Sequence, residues 1–209
     1  RDDIEKIDSG AFQNSSLKTM ILGKNVKSIG ERAFAKCKEL EVVDFSKAIS
    51  LKEIKGEAFS GCRSLKEIIL PESLEYLGRN AFEDCETLKN VVIQGNALRK
   101  LRIATFENCS NLEQITLPES IRKIYEYCFN SCLHLQHIDL PSRLIFLGKG
   151  AFCECSSLKA ITLPKGITYI PEECFYRCTA LETVKVSTKL SIIDRYAFRN
   201  CRKLTEVTP

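Results

Sequence analysis

Tryptophan is absent from the 209 residues, methionine occurs once, and histidine twice, at His134 and His137. Two imidazoles leave little material for a histidine-based metal centre or catalytic constellation. Ten glycines and six prolines are too few for a collagen or a flexible linker. Long apolar runs are missing too: uncharged stretches such as Val91 to Leu98 fall far short of the roughly 20 residues of a membrane-spanning helix. The opening Arg1-Asp2-Asp3-Ile4-Glu5-Lys6 lacks the basic-then-apolar order of a secretory signal. Neither sign of charge dominates. Lys and Arg total 31 against 27 Asp and Glu, a net charge of +4, and the signs are interspersed, so nothing calls for nucleic acid or an anionic membrane. No G-x-G-x-x-G or G-K-[ST] loop supports nucleotide chemistry.

What is present is one pattern, repeated. Phenylalanine recurs at Phe12, Phe34, Phe59, Phe82, Phe106, Phe129, Phe152, Phe175 and Phe198, with spacings of 22, 25, 23, 24, 23, 23, 23 and 23. The residue before each Phe is small: Ala, Thr or Cys. Three after it stands Ser15 and then Cys37, Cys62, Cys85, Cys109, Cys132, Cys155, Cys178 and Cys201. A leucine column runs from Leu17 to Leu204, and an apolar, mostly β-branched column from Met20 to Val207. Two more apolar columns precede each Phe by eight and five residues, opening with Ile4 and Ile7 and closing with Leu190 and Ile193. Nine copies of a unit of about 23 residues make self-similarity the dominant signal.

Such a unit cannot bury its apolar face alone. Stacked in register, nine coils place Phe on Phe and Leu on Leu, and the alternation Leu-x-x-Ile-x-Leu predicts one short strand per coil in a parallel sheet, with little helix. Pro71, Pro118, Pro141 and Pro164 follow the last leucine of the strand and end ladder pairing there. Extra residues at Ser46-Lys47-Ala48-Ile49-Ser50 and Gln94-Gly95-Asn96-Ala97 respect every core column, as insertions at a surface corner do. No linker interrupts the array, so residues 1–209 read as a single domain. With no polar capping unit at either end, it is expected to be excised from a longer protein.

These columns resemble the BspA-type leucine-rich repeats, in Leu117-Pro118-Glu119-Ser120-Ile121-Arg122-Lys123-Ile124 and in Ala151-Phe152-Cys153-Glu154-Cys155-Ser156-Ser157-Leu158 among others. The resemblance implies a right-handed leucine-rich-repeat solenoid and a secreted or cell-surface protein acting in adhesion to host or neighbouring-cell proteins, including extracellular-matrix components. Commoner leucine-rich repeats carry Asn two residues before the last Leu. Here Pro-x-x-Leu follows the strand instead, so their binding rules do not transfer. The other readings are a structural spacer, or an intracellular scaffold, with no ligand of its own.

Eleven cysteines raise the question of disulfides or metal. Eight share one column, where in-register side chains point the same way and lack the facing geometry of a disulfide, and the odd count forbids complete pairing. They read as core thiols, with no metal or cofactor; Cys153, between columns, is the candidate accessible thiol. His137 and Asp139, two apart on one strand with Thr116 and Thr162 on adjacent coils, form a polar patch on an open sheet, without the cleft and oxyanion site of a hydrolase. No catalytic residue is assigned. A partner would meet the outward strand positions: Ile21, Val42, Ile69 and Val92 in the first four coils, then Gln114, Thr116, His137, Asp139, Thr162 and Lys185. A continuous apolar strip there would mark a protein contact, although β-branched residues are favoured on strands in any case. A second line of outward aromatics, Tyr76, Phe146 and Tyr169, interrupted by Lys100 and Lys123, can anchor a ligand or fill a second pleated surface.

Overall fold

Small residues on both sides of each phenylalanine let the chain double back tightly around it. In the computed structural model, which describes residues 3–209, the residue two before and the residue two after each Phe both have positive φ. Arg32 (56°) and Lys36 (60°) flank Phe34; Tyr127 (55°) and Ser131 (58°) flank Phe129. For an L-residue this left-handed backbone costs about 1 kcal/mol, and coil-to-coil hydrogen bonding offsets it. Arg32, Phe34 and Lys36 donate their N–H groups to the carbonyls of Gly56, Ala58 and Ser60 on the next coil, at 3.0, 2.8 and 2.6 Å. The alternate N–H groups of Ala33, Ala35 and Cys37 turn back to the carbonyls of Gly30, Arg32 and Phe34. Every donor of this corner is thereby used, as a buried backbone requires.

The rings follow the backbone. From Phe12 to Phe198 successive rings lie 5.0–5.7 Å apart between centroids and within 12° of parallel. The cysteine column joins the same register: the thiol of Cys109 donates to the carbonyl of Phe82 at 3.2 Å, that of Cys132 to Phe106 at 3.3 Å and that of Cys155 to Phe129 at 3.2 Å. Cysteine therefore fills a small apolar position and staples its coil to the one before. All eleven thiols are free, as the geometry argued.

Eight of the nine coils carry two strands, in two columns, where sequence alternation pointed to one. The longer strands are β2 (Thr19–Ile21), β4 (Val42–Asp44), β6 (Glu67–Leu70), β8 (Asn90–Ile93), β10 (Gln114–Thr116), β13 (Ala160–Thr162), β15 (Thr183–Lys185) and β17 (Glu206–Thr208). Two-residue strands before the Phe corner are β1 (Lys6–Ile7), β3 (Ser28–Ile29), β5 (Glu53–Ile54), β7 (Tyr76–Leu77), β9 (Lys100–Leu101), β11 (Lys123–Ile124), β12 (Phe146–Leu147), β14 (Tyr169–Ile170) and β16 (Ile192–Ile193). The second column escapes alternation because two residues are too short to show a period. All pairings are parallel and in register, and no helix occurs among the described residues. Proline marks the corner between the columns; its carbonyl accepts the N–H three residues on, as Pro118 does from Ile121 at 3.1 Å.

The longer-strand column is divided into β2-β4, β6-β8-β10 and β13-β15-β17. Two expectations change here. Residues 137–139 form no strand, so the His137 and Asp139 patch lies on an irregular segment between β10 and β13. The neighbouring Leu117 and Leu140 are only half-buried where the column's Leu70 and Leu163 are fully buried, so the corner of these coils is looser than elsewhere. The apolar outward residues also fail to form one straight strip. Ile21 stands opposite Asp44, and Val42 opposite Thr19, whereas Ile69 is paired with Val92.

Stability tests follow from the corner. Phe106→Ala is expected to lower the urea-unfolding free energy by about 3–5 kcal/mol. Lys36, exposed and left-handed, occupies the place that Gly61 takes one coil on, so Lys36→Gly is expected to raise stability by about 0.5–1 kcal/mol; a loss there would show that its φ carries no strain.

Candidate functional site

The two interruptions of the longer-strand column open two hollows on that face. The larger, about 1280 Å³, lies between β4 and β6. These strands are offset by 25 residues, and the insertion that follows β4 forms the hollow's end wall. Phe45 replaces the leucine of that column and packs edge-on against Phe59, with centroids 6.3 Å apart at 85°, while Ala48 is buried and Ile49 projects into solvent. The bulkier corner prevents β6 from closing against β4. Two aliphatic side chains on its strands point outward, Val42 at 48% and Ile69 at 51% exposure. Around them stand Glu41, Asp44, Glu67 and Glu72, with Lys66 the one cation of the wall.

Those carboxylates outnumber the cations of the wall. Glu41, Glu67 and Glu72 make no ion pair among the described residues, whereas elsewhere Glu5 is held by Lys27 and Glu75 by Lys52, each at 2.7 Å. Asp44 accepts the N–H of Ser46 at 2.7 Å, and that hydrogen bond holds its carboxyl below the ordinary aspartate range, so it is ionised at neutral pH. Sequence reasoning found Val42 and Ile69 but missed the acidic surround and Ile49; the insertion at residues 46–50 was the available signal.

The smaller hollow, about 620 Å³, lies beside β13 and brings together His137, Asp139 and Thr162 with Ser142 and Lys165. His137 Nε2 and Asp139 Oδ1 are 2.9 Å apart, and both side chains are largely exposed. The pair is a solvated contact on an open face. Val92, Gln114 and Thr116 lie between the hollows on β8 and β10, with Ile21 and Lys185 towards the two ends, so the ten outward residues share a face but only subsets of them meet.

The aromatic line belongs to the second strand column. Tyr76 lies under the Arg102 guanidinium, 4.4 Å from the ring centroid; Phe146 contacts Tyr125, with centroids 5.4 Å apart; Tyr169 donates its hydroxyl to Asp194. No group of three or more metal-ligating side chains occurs among the described residues. Cys153 is half-buried instead of open, and burial, reinforced by Glu154, pushes its thiol up to about 12.

A repeat-family model described as the BspA-type leucine-rich repeat region, in six copies, matches residues 1–113 and 96–205. The chain belongs to that family. A leucine-rich repeat protein from Bacteroides ovatus superimposes with a TM-score of 0.68 at 27% identity, over 99% of this chain and 64% of that one. The pneumococcal vaccine antigen PcpA is similar in fold, with a TM-score of 0.53 at 22% identity, over 99% of this chain and 66% of its own. A leucine-rich repeat protein from Eubacterium ventriosum gives 0.51 at 17% identity, over 100% and 71%. The chain thus spans less than two thirds of the first two. No curated protein matches it. Among the described residues no helix is long and apolar enough to cross a membrane.

The thiols provide a test of the BspA-type core. Burial pushes those of Cys62, Cys85, Cys109, Cys128, Cys132, Cys155, Cys174 and Cys178 far up, while the Cys178 thiol beside the half-buried Cys201 holds that group below its ordinary value. At pH 8, maleimide is expected to label Cys201 first and Cys153 slowly. The other nine should react only after denaturation, as peptide mass spectrometry would read. Rapid native labelling of Cys109 would contradict the packing.

Proposed function

We propose that this BspA-type repeat is a protein-binding, adhesive module of a secreted or cell-surface protein, and that it holds an extended segment of its partner in the hollow between β4 and β6. The observation that carries this reading is the combination of exposed Val42 and Ile69 with the unpaired Glu41, Glu67 and Glu72. Aliphatic area set in a ring of carboxylates favours a partner that alternates apolar and basic side chains. The apolar groups gain by leaving water, and the charges steer the encounter and select against acidic competitors. The partner class is a host extracellular-matrix or neighbouring-cell surface protein.

The continuous ring stack from Phe12 to Phe198 supports treating the chain as one solenoid domain of a larger protein. The same rigidity also suits a spacer that holds another domain away from a surface, with no ligand of its own. We read the chain as a non-enzyme: the exposed His137 and Asp139 pair has no nucleophile oriented toward it, and general base catalysis requires one.

Peptides alternating Lys with Ile, and their Glu-for-Lys counterparts, distinguish the readings when titrated against the folded chain. Binding of the basic peptides is expected to fall at least 10-fold in Ile69→Glu/Val92→Glu and in Glu67→Lys/Glu72→Lys, with circular dichroism unchanged. A matrix protein captured by the parent should be lost by the same variants. No binding of either peptide set, or binding indifferent to both variants, would remove the hollow as the site and leave the spacer.

A further inference from the structure

At several places on this surface, stacked coils neutralise one another. Parallel strands bring equivalent positions to about 4.8 Å, and the chain uses that proximity to oppose unlike charges: Arg32 to Glu57 at 2.6 Å, Lys52 to Glu75 at 2.7 Å, Arg177 to Glu154 at 2.9 Å. The second strand column does the opposite at coils five and six, where two cations in a row meet two more. Lys100 on β9 is paired in register with Lys123 on β11, and the preceding residues Arg99 and Arg122 are joined by a backbone hydrogen bond of 2.8 Å between their coils. Four cations are thus stacked in two adjacent columns, and Arg102 adds a fifth. None of the five has a carboxylate ion-pair partner among the described residues.

Two of the neighbouring carboxylates are occupied, while Glu31 and Glu53 line the hollow of Arg102 without reaching it as an ion pair. Glu75 is held by Lys52, and Glu119 accepts both the backbone N–H and the hydroxyl of Ser142, at 3.0 and 2.7 Å. Like charges directly opposite destabilise a sheet, and the chain offsets them here only through ring and carbonyl contacts, Arg102 over Tyr76, Lys123 near Phe146 and Arg122 to the Glu119 carbonyl. Aromatic rings border it on both sides. Tyr76, 36% exposed, and Tyr125 line a shallow hollow of about 550 Å³ together with Arg79 and Arg102. Phe146, equally exposed, follows Lys123 in register on β12, with the Lys123 ammonium 5.9 Å from its ring centre.

We propose that this face binds an anionic polysaccharide, a chain of sulfated or carboxylated sugars laid along the stack of coils. The cations take the acidic substituents, and Tyr76 and Phe146 offer flat apolar surfaces to the faces of the sugar rings. Along the column the order is Tyr76, Lys100, Lys123, Phe146, one per coil, so two stacked cations are bracketed by a ring at each end, a length and layout that suit a short run of acidic sugars. The basic surface ends at Glu53 and Glu31, which share the hollow with Tyr76, so a continuous phosphate backbone running past would meet carboxylates. That favours a short glycan segment over a nucleic acid. The inference is independent of the hollow between β4 and β6, which lies on the other strand column.

Heparin hexasaccharide, its fully desulfated form and single-stranded DNA of equal charge, each titrated against the intact chain by fluorescence anisotropy, test the proposal. Expected are binding of heparin in 0.15 M NaCl, at least 10-fold weaker binding of the desulfated sugar, and at least 10-fold loss in Lys100→Glu/Lys123→Glu. Tyr76→Ala, which keeps the charge, should weaken binding several-fold; an unchanged affinity would mean ion exchange without ring recognition and would overturn the glycan assignment. Absence of heparin binding, an indifferent charge variant, or DNA bound as tightly as heparin would each overturn it as well. Lys100→Gln, expected to raise the melting temperature at low salt, shows that the charge variants fold and that the repulsion is real. Ile69→Glu/Val92→Glu should bind heparin like the parent, which separates failure here from failure of the protein-binding reading.

Discussion

Everything in this solenoid depends on the hydrogen bonds that lock the phenylalanine corner of one coil to the same corner of the next. Three N–H groups per coil donate forward, the alternate ones turn back, and a thiol adds a further bond to the preceding Phe carbonyl. This sets a common axial spacing and a common phase. Once it is set, each side chain meets its own counterpart above and below, and a column can hold only residues that stack on themselves. Flat rings stack, leucines interlock and small thiols fit. The corner accepts two left-handed residues per coil because it is over-determined by these bonds, so residues as ill-suited to positive φ as Tyr127 and Arg32 are held there.

The same phase explains why irregularity is confined to surfaces and is informative there. Additional residues cannot enter a column without breaking the ladder, so they collect at the corner after the longer strand. At residues 46–50 they still have a consequence. The Phe stack runs on from Phe34 to Phe59 at 5.0 Å, but β4 and β6 do not pair. The core keeps its register while the sheet face opens, and the opened face is where unpaired carboxylates and outward aliphatics gather. A similar separation holds in the second column, whose ladder is divided between β7 and β9 and again between β12 and β14, leaving β9, β11 and β12 as the segment that carries the stacked cations.

How far the sequence could be read follows from which features repeat. The nine phenylalanines, the leucine and cysteine columns and the proline corner recur often enough to establish a stacked coil before any coordinates, and the free thiols follow from in-register geometry. The left-handed positions were hidden because no residue type marks them: glycine, Asn, Glu, Arg, Tyr and Ala all occur there. The two-residue strands were hidden by their brevity. At the surface, Ile69 and Val92 were found because both stand out from their strands, but the intended strip failed because the column of Ile21 and Ile69 holds Asp44, while Val42 occupies the other outward position, opposite Thr19. The hollow itself depends on two strands failing to close, an event set by Phe45 and its corner, and periodicity registers what repeats, never where a repeat lapses.

Repetition also changes what a charge means. In an irregular protein a lone lysine on the surface says little, since it has many orientations and a screened field. In a solenoid its neighbours are dictated at one strand spacing above and below, and each position either relieves or compounds the field of the next. A chain that pairs Lys with Glu across most coils has the means to do so at all of them. Where it stacks Lys on Lys and Arg on Arg, or sets Glu41, Glu67 and Glu72 beside the single cation Lys66 with no ion pair among the described residues, the arrangement costs stability that the fold alone does not require. These two departures lie on different strand columns and carry opposite charge, with the ring stack of the core holding them apart.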